Sequence, residues 1–155
     1  SGSITAGNAP GLNDGGAALV LVSGERLRSS GARPMARVIA YATGGGDPRD
    51  LFFAPIDAVN RLMKKMGVTI DHFDLIEANE AFAAQALADG KALGWDWGRV
   101  NVNGGAVALG HPIGASGARV LVTLLHALEQ RGKKTGLATL CLGGGNAVAL
   151  AVEMA

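Results

Sequence analysis

The sequence has little cysteine and little charge. Cys141 is its only cysteine, so no disulfide can form within the 155 residues, which is typical of proteins from a reducing compartment. Charged residues make up 17%, too few for a disordered chain, and the net charge of +1 offers no basic face for nucleic acid. No apolar run reaches the roughly 18 residues of a membrane-spanning helix. We therefore expect a folded, cytoplasmic protein without a nucleic-acid or membrane partner.

Several motifs of cofactor and metal sites are missing as well. No Gly-x-Gly-x-x-Gly pattern follows a predicted strand, and no Walker-type Gly-Lys-Ser/Thr triplet is present. The histidines, the cysteine and the acidic residues have no spacing that suits a metal ion. We expect neither a bound metal nor a resident cofactor.

Glycine is the residue type in excess. The chain contains 24 glycines, well above the usual share of about 7%. They cluster at 44–46, 104–105, 110–117 and 143–145. Such clusters in a chain that is 48% apolar indicate tight turns, where backbone comes close to backbone or to a ligand.

Apolar runs and helical spacing predict an α/β fold. Strands are predicted at 17–22, 35–42, 73–78, 100–102, 136–142 and 147–152, and helices at 25–30, 55–66, 80–93 and 115–131. The continuous apolar run 17–22 is typical of a strand buried on both faces. The alternation of elements predicts a mixed, mostly parallel sheet with helices on both faces, ending in an antiparallel hairpin. A boundary between two structural units is predicted near residue 31.

Three polar residues fall where predicted strands end, which is where open α/β sheets place their sites. They are Asn79, His111 and Cys141. Asn79 equally suits a helix N-cap, and a cysteine between two leucines is usually inert. Pro112 restricts His111 to an extended conformation, and the helix that follows favours a neutral imidazole, the form that a general base needs. A lone histidine without a task in a surface loop is the alternative.

Four segments together resemble the thiolase family. Three of them, Asn79-Glu80-Ala81-Phe82, Gly110-His111-Pro112 and Cys141-Leu142-Gly143-Gly144-Gly145, are similar to its C-terminal signatures, separated by 32 and 30 residues as in biosynthetic members. Residues 5–15 are similar to the stretch that leads back into the family's N-terminal half. The resemblance covers the whole chain and implies half of the layered αβαβα thiolase fold. Residues 1–30 would be the tail of the N-terminal half, and 31–155 the C-terminal domain.

The resemblance also implies roles for individual residues. His111 matches the histidine that activates the acyl-carrying cysteine, and Asn79 matches the asparagine that holds a water in the same oxyanion hole. Cys141 matches the second cysteine, which moves the α-proton of the nucleophilic acyl-CoA. Gly143 matches the glycine whose N–H serves the other oxyanion hole.

Substrate contacts are implied for Phe82, Ala81, Ala6 and Leu51. Pro10 stands where biosynthetic members often have a serine that contacts the pantetheine arm, and proline offers neither a hydroxyl nor an N–H.

The acyl-carrying cysteine has no match in this chain, so the expected partner is an N-terminal thiolase half. The implied reaction joins two acetyl-CoA molecules into acetoacetyl-CoA and CoA, or reverses that step, in a parent enzyme that is a homo-oligomer. Coenzyme A thioesters are then substrates, with no cofactor. Two alternatives are a degradative 3-ketoacyl-CoA thiolase of broader chain length and a non-catalytic, CoA-binding partner subunit.

Overall fold

A computed structural model describes residues 2–155, which are organised around a four-stranded sheet in the order β1-β4-β3-β2. The strands are β1 (Ala36–Gly45), β2 (Leu75–Ala78), β3 (Thr135–Leu142) and β4 (Asn146–Met154). The helices are α1 (Gly24–Ser30), α2 (Ala54–Met66), α3 (Ala83–Leu93), α4 (Ala106–Leu109) and α5 (Ser116–Gln130). Short 3-10 turns occupy Pro48–Phe53, Ile70–His72 and Trp97–Arg99.

The sheet is mixed, and the prediction that it is mostly parallel is wrong. Only β2 and β3 pair in parallel, whereas β4 runs antiparallel to both β3 and β1. The predicted terminal hairpin is confirmed, and it is the cause of this difference. A tight turn at 143–145 reverses the chain into the centre of the sheet, and β1 then pairs with the reversed strand.

Helix α2 covers one face of the sheet. Its first turn contains Pro55, which suits that position, and it ends at Gly67 in the left-handed conformation with φ of 69°. The buried stripe of α2 includes Val59 and Leu62 and packs against Leu137 of β3 within one hydrophobic core. The amphipathic spacing that predicted this helix therefore also fixes the face that it buries.

Helix α5 covers the opposite face, so helices lie on both faces as predicted. Its residues Leu124 and Leu128 are fully buried and form a second core with Leu75 of β2 and Val152 of β4. None of the helices described in residues 2–155 combines the length and apolarity required to cross a bilayer.

The predicted buried strand at 17–22 is wrong. These residues form no strand, and the side chains of Val20 and Leu21 are 93% and 74% exposed. A strand needs a neighbour for its backbone hydrogen bonds, and none of the four strands pairs with this segment. The predicted strand at 100–102 is reduced to a single parallel bridge between Val100 and Ile76.

Candidate active site

The carboxyl ends of β2 and β3 form the edge of the sheet where the polar side chains meet. The two strands run parallel with Ala78 opposite Thr139, so they end on the same side. The Asn79 N–H extends this ladder by donating to the Thr139 carbonyl at 2.9 Å. Asn79 and Cys141 therefore follow these paired residues on adjacent strands.

Asn79 is a buried residue at the end of a strand, and the alternative that it caps a helix is wrong. Helix α3 begins at Ala83, and Phe82 occupies its N-cap position. Asn79 is 1% exposed, and its Oδ1 atom is buried without a hydrogen-bond donor in the described chain. The amide oxygen of Asn79 thus remains available to accept a hydrogen bond at the site.

Asn101 fixes the end of β2 just before Asn79. Its side chain exchanges two hydrogen bonds of 2.9 Å with the backbone N–H and C=O of Ala78. Its Nδ2 atom also donates to Glu80, whose carboxylate accepts the Val107 N–H at the start of α4. This clamp was not predicted from the sequence, which placed Asn101 in the brief strand predicted at 100–102.

The backbone of His111 is held by the beginning of the chain. Leu12 forms a parallel bridge with His111, and the His111 N–H donates to the Gly11 carbonyl at 3.0 Å. The extended conformation predicted from Pro112 is thereby confirmed. Gly110 has φ of 100°, and a Cβ atom there would lie 2.4 Å from Oδ1 of Asn13. Glycine is therefore required immediately before the histidine.

A chain of hydrogen bonds sets the tautomer of His111. The Ser116 hydroxyl donates its single proton to the Pro112 carbonyl at 3.0 Å. Its oxygen therefore accepts a hydrogen bond from His111 Nδ1, which lies 2.6 Å away. Nδ1 therefore carries the proton, and the lone pair of Nε2 faces the Asn79 amide nitrogen at 3.3 Å. Ser116 was missed by the sequence reading, although a serine that opens a helix five residues after a candidate base is a usable signal.

The surroundings of His111 keep its ring neutral. Burial, reinforced by the positive charge of Arg119, lowers the pKa of His111 below its usual value. The prediction of a neutral imidazole from the helix N-terminus therefore agrees with this direction, but the causes are burial and Arg119. A neutral ring with an unprotonated Nε2 atom can accept a proton from a thiol.

A buried ion pair that was not predicted from the sequence lies near His111. Glu77 is 1% exposed on β2, and its carboxylate lies 3.5 Å from Nη1 of Arg119 on α5. Burial outweighs the attraction of Arg119 and raises the pKa of Glu77 to about 7. The available signal was a carboxylate inside an apolar strand, since a charge is rarely buried without a partner.

Cys141 lies half-buried near the end of β3, opposite Ala147 of β4. Burial raises the pKa of its thiol, so the protonated form dominates at neutral pH. Gly143 follows in the exposed turn, where its carbonyl accepts from the Asn146 side chain at 3.2 Å. The sequence placed both residues at this strand-to-turn junction, and the structure agrees.

The four residues predicted to contact substrate lie around the start of α3. Phe82 packs edge-to-face on Phe52 with ring centroids 5.0 Å apart, and Leu51 precedes Phe52 in its 3-10 turn. Ala81 donates its N–H to the Gln85 side chain at 3.0 Å. Ala6 is exposed in a turn next to Asn8, whose carbonyl accepts the N–H of the first residue of α3. Their roles toward a substrate stay predictions.

Residues 2–155 contain no group of three His, Cys, Asp or Glu side chains arranged to hold a metal ion. The chemical groups gathered at the edge of the sheet are a neutral imidazole, a thiol, a carboxamide and glycine backbone. Such a set suits proton transfer and nucleophilic acyl chemistry.

The family model for the thiolase C-terminal domain matches residues 32–154. The chain belongs to the thiolase family. It is 56% identical over 154 residues to an acetyl-CoA acetyltransferase of Syntrophomonas wolfei, covering 98% of this chain and 39% of that protein. An enzyme of the same name from Escherichia coli is 55% identical over 153 residues, with 99% and 39% covered. The predicted boundary near residue 31 stays a prediction.

Two solved thiolase structures superpose closely on the chain. The crystal structure of the Bacillus anthracis acetyl-CoA acetyltransferase has a TM-score of 0.96 at 49% identity, and that of human mitochondrial 3-ketoacyl-CoA thiolase has 0.90 at 36%. Each comparison covers 99% of this chain and 39% of the other. The fold is therefore that of a thiolase, and the chain spans about two fifths of the length of these relatives.

Proposed function

We propose that this chain is part of an acetyl-CoA acetyltransferase, which joins two acetyl-CoA molecules into acetoacetyl-CoA and CoA or carries out the reverse thiolysis. The observation that carries the proposal is the hydrogen-bonded chain Ser116–His111–Asn79 beside the end of the strand that bears Cys141. Relatives of that name at 53–58% identity support this choice. The thiolase named for 3-ketoacyl-CoA is more distant, at 36%.

His111 acts first as the base for an acyl-carrying cysteine. Its Nε2 lone pair takes the thiol proton, and the resulting thiolate attacks the acetyl thioester and breaks its C–S bond. The departing CoA thiolate takes its proton from the Cys141 thiol. Protonated His111 and the amide of Asn79 then face the thioester oxygen, where negative charge develops. The buried and otherwise unpartnered Oδ1 of Asn79 supports a bound water in this role.

Cys141 moves the α-proton of the second acetyl-CoA. The Cys141 thiolate left by the first step removes a methyl proton, and the carbanion attacks the acyl-cysteine carbonyl. This releases acetoacetyl-CoA and the thiolate of the acyl-carrying cysteine, which takes its proton back from His111. The N–H of Gly143 stabilises the enolate oxygen. The raised thiol pKa fits this task, because a base must be strong to remove a proton next to a thioester.

The remaining components come from outside this chain. Cys141 is its only cysteine, so the acyl-carrying thiol belongs to an N-terminal thiolase half. The proposed partners are that half, acyl-CoA and CoA, and further copies in a homo-oligomer. The cytoplasm is the proposed compartment.

The first measurement is thiolysis of acetoacetyl-CoA by the complete gene product that contains this chain, after intact mass has shown which polypeptides are present. His111→Ala and Cys141→Ala should each lower kcat by about 100-fold or more, which is within the usual contribution of a general acid or base. The matched control is His126→Ala, since His126 lies exposed on α5 away from the edge of the sheet.

Three results would contradict the proposal. One is activity of the 155-residue chain alone, because no acyl-carrying cysteine would then be available. Another is a loss of less than tenfold in either catalytic variant while the control behaves normally. A preference for long-chain 3-ketoacyl-CoA over acetoacetyl-CoA would replace the acetyl-specific assignment with the degradative one.

A further inference from the structure

One acidic residue in the interior has no part in the site described above. Asp89 lies on α3 at 0% exposure, and no basic side chain in residues 2–155 forms an ion pair with it. Its Oδ1 atom is buried without a hydrogen-bond partner among the described residues. An isolated carboxylate is costly in such a place, because nothing there replaces its hydration.

Asp89 is linked to the turn that carries Asn79. The Gln85 side chain, 5% exposed, accepts the Ala81 N–H through Oε1 at 3.0 Å and donates through Nε2 to Oδ2 of Asp89. The acceptor at Asp89 therefore determines which way the Gln85 amide points. That amide in turn holds the backbone two residues after Asn79.

The surroundings of Asp89 favour its protonated form. Burial raises the pKa of Asp89 to about 7. Helix α3 packs against α2 and the turn Pro48–Phe53. None of the charged residues on these two neighbours forms an ion pair with Asp89. Arg49 pairs with Asp47, Arg61 pairs with Asp57, and the remaining three, Asp50, Lys64 and Lys65, are exposed.

We propose that Asp89 is a positioning residue: its buried carboxyl group orients Gln85 and thereby the Asn79–Phe82 turn. This inference deepens the proposed function, on which it rests for the role of Asn79. The hydrogen bond requires only an acceptor at residue 89, so asparagine can replace aspartate there.

The hydrogen bond is tested with Asp89→Ala in the complete gene product. The kcat for thiolysis should fall about tenfold or more while the KM for CoA changes less than twofold, and Asp89→Asn should keep its kcat. If Asp89→Ala does not fold, Gln85→Met breaks the same link and should show the same loss.

Normal thiolysis by the wild type together with an unchanged kcat in Asp89→Ala or Gln85→Met would overturn the positioning role alone. A wild type that shows no thiolysis would instead overturn the proposed function on which this inference rests.

Discussion

Replacing Ser116 with alanine tests the arrangement of the candidate base most directly. Ser116 is 1% exposed, and its hydroxyl joins His111 Nδ1 to the Pro112 carbonyl. The substitution removes the only acceptor shown for the Nδ1 proton and leaves that proton partly buried. A buried donor without a partner costs about 1–3 kcal/mol. If this cost falls on the correctly oriented neutral tautomer, kcat/KM should fall about 5- to 150-fold.

The assay is thiolysis of acetoacetyl-CoA by the complete gene product, with the unfolding temperature measured on the same samples. Ser116→Thr keeps the hydroxyl and should recover most of the activity, whereas Ser29→Ala on the exposed surface of α1 should change nothing. The reasoning is refuted if Ser116→Ala retains kcat/KM within twofold of the wild type. A lower unfolding temperature with normal kcat would also refute it, because Ser116 would then serve only the fold.

Three further predictions concern the same edge of the sheet. The pKa of Glu77 is about 7 when folded and 4.5 as an ordinary glutamate, so the folded state binds the extra proton and stability falls as pH rises through this interval. At about 1.4 kcal/mol per pH unit, the free energy of unfolding falls by roughly 3 kcal/mol. Unfolding in urea at pH 5 and pH 8 should show this loss in the wild type relative to Glu77→Gln. Arg119→Met should destabilise the protein by about 3–5 kcal/mol at pH 8, because it leaves a buried carboxylate unpaired; a smaller change than in Glu77→Gln would contradict this. Gly110→Ala should reduce thiolysis at least tenfold in folded protein, since the new Cβ forces Asn13 and the histidine loop apart, and normal activity would show that the loop adapts.

The helices could be predicted from the sequence because their signals are local. Helix α2 has a proline in its first turn, an apolar stripe and a glycine at its end, and the structure places it at Ala54–Met66 against a predicted 55–66. Helix α5 is equally clear from its leucines. Each of these signals depends on residues a few positions apart, so no knowledge of distant partners is needed.

Strand partners were harder to predict, because apolar runs do not specify neighbours. The run at 17–22 has the composition of a buried strand, yet its side chains are exposed in the described chain. The parallel pairing of β2 with β3 followed from the alternation of elements, but the insertion of β4 between β3 and β1 did not. The hydrophobic pattern indicates which segments are buried, but it does not specify the order of the strands in the sheet.

Within the site, the sequence located residues but not their connections. Asn79 and Cys141 were found because they stand where strands end, and His111 because it lies among glycines ahead of a helix. Ser116 and Asp89 were missed because a serine at the start of a helix and an aspartate within one usually face solvent. Their importance appears only when burial and hydrogen-bond partners are known.

The bridge between Leu12 and His111 bears on how thiolases are divided for engineering. The family model begins at residue 32, yet the backbone of the histidine is paired with residues 11 and 12, and Gly110 packs on Asn13. A fragment cut at the family boundary would keep the histidine and lose the segment that aligns it. Split enzymes or chimeras built on this scaffold should therefore keep residues 5–15 with the histidine loop and place the junction elsewhere.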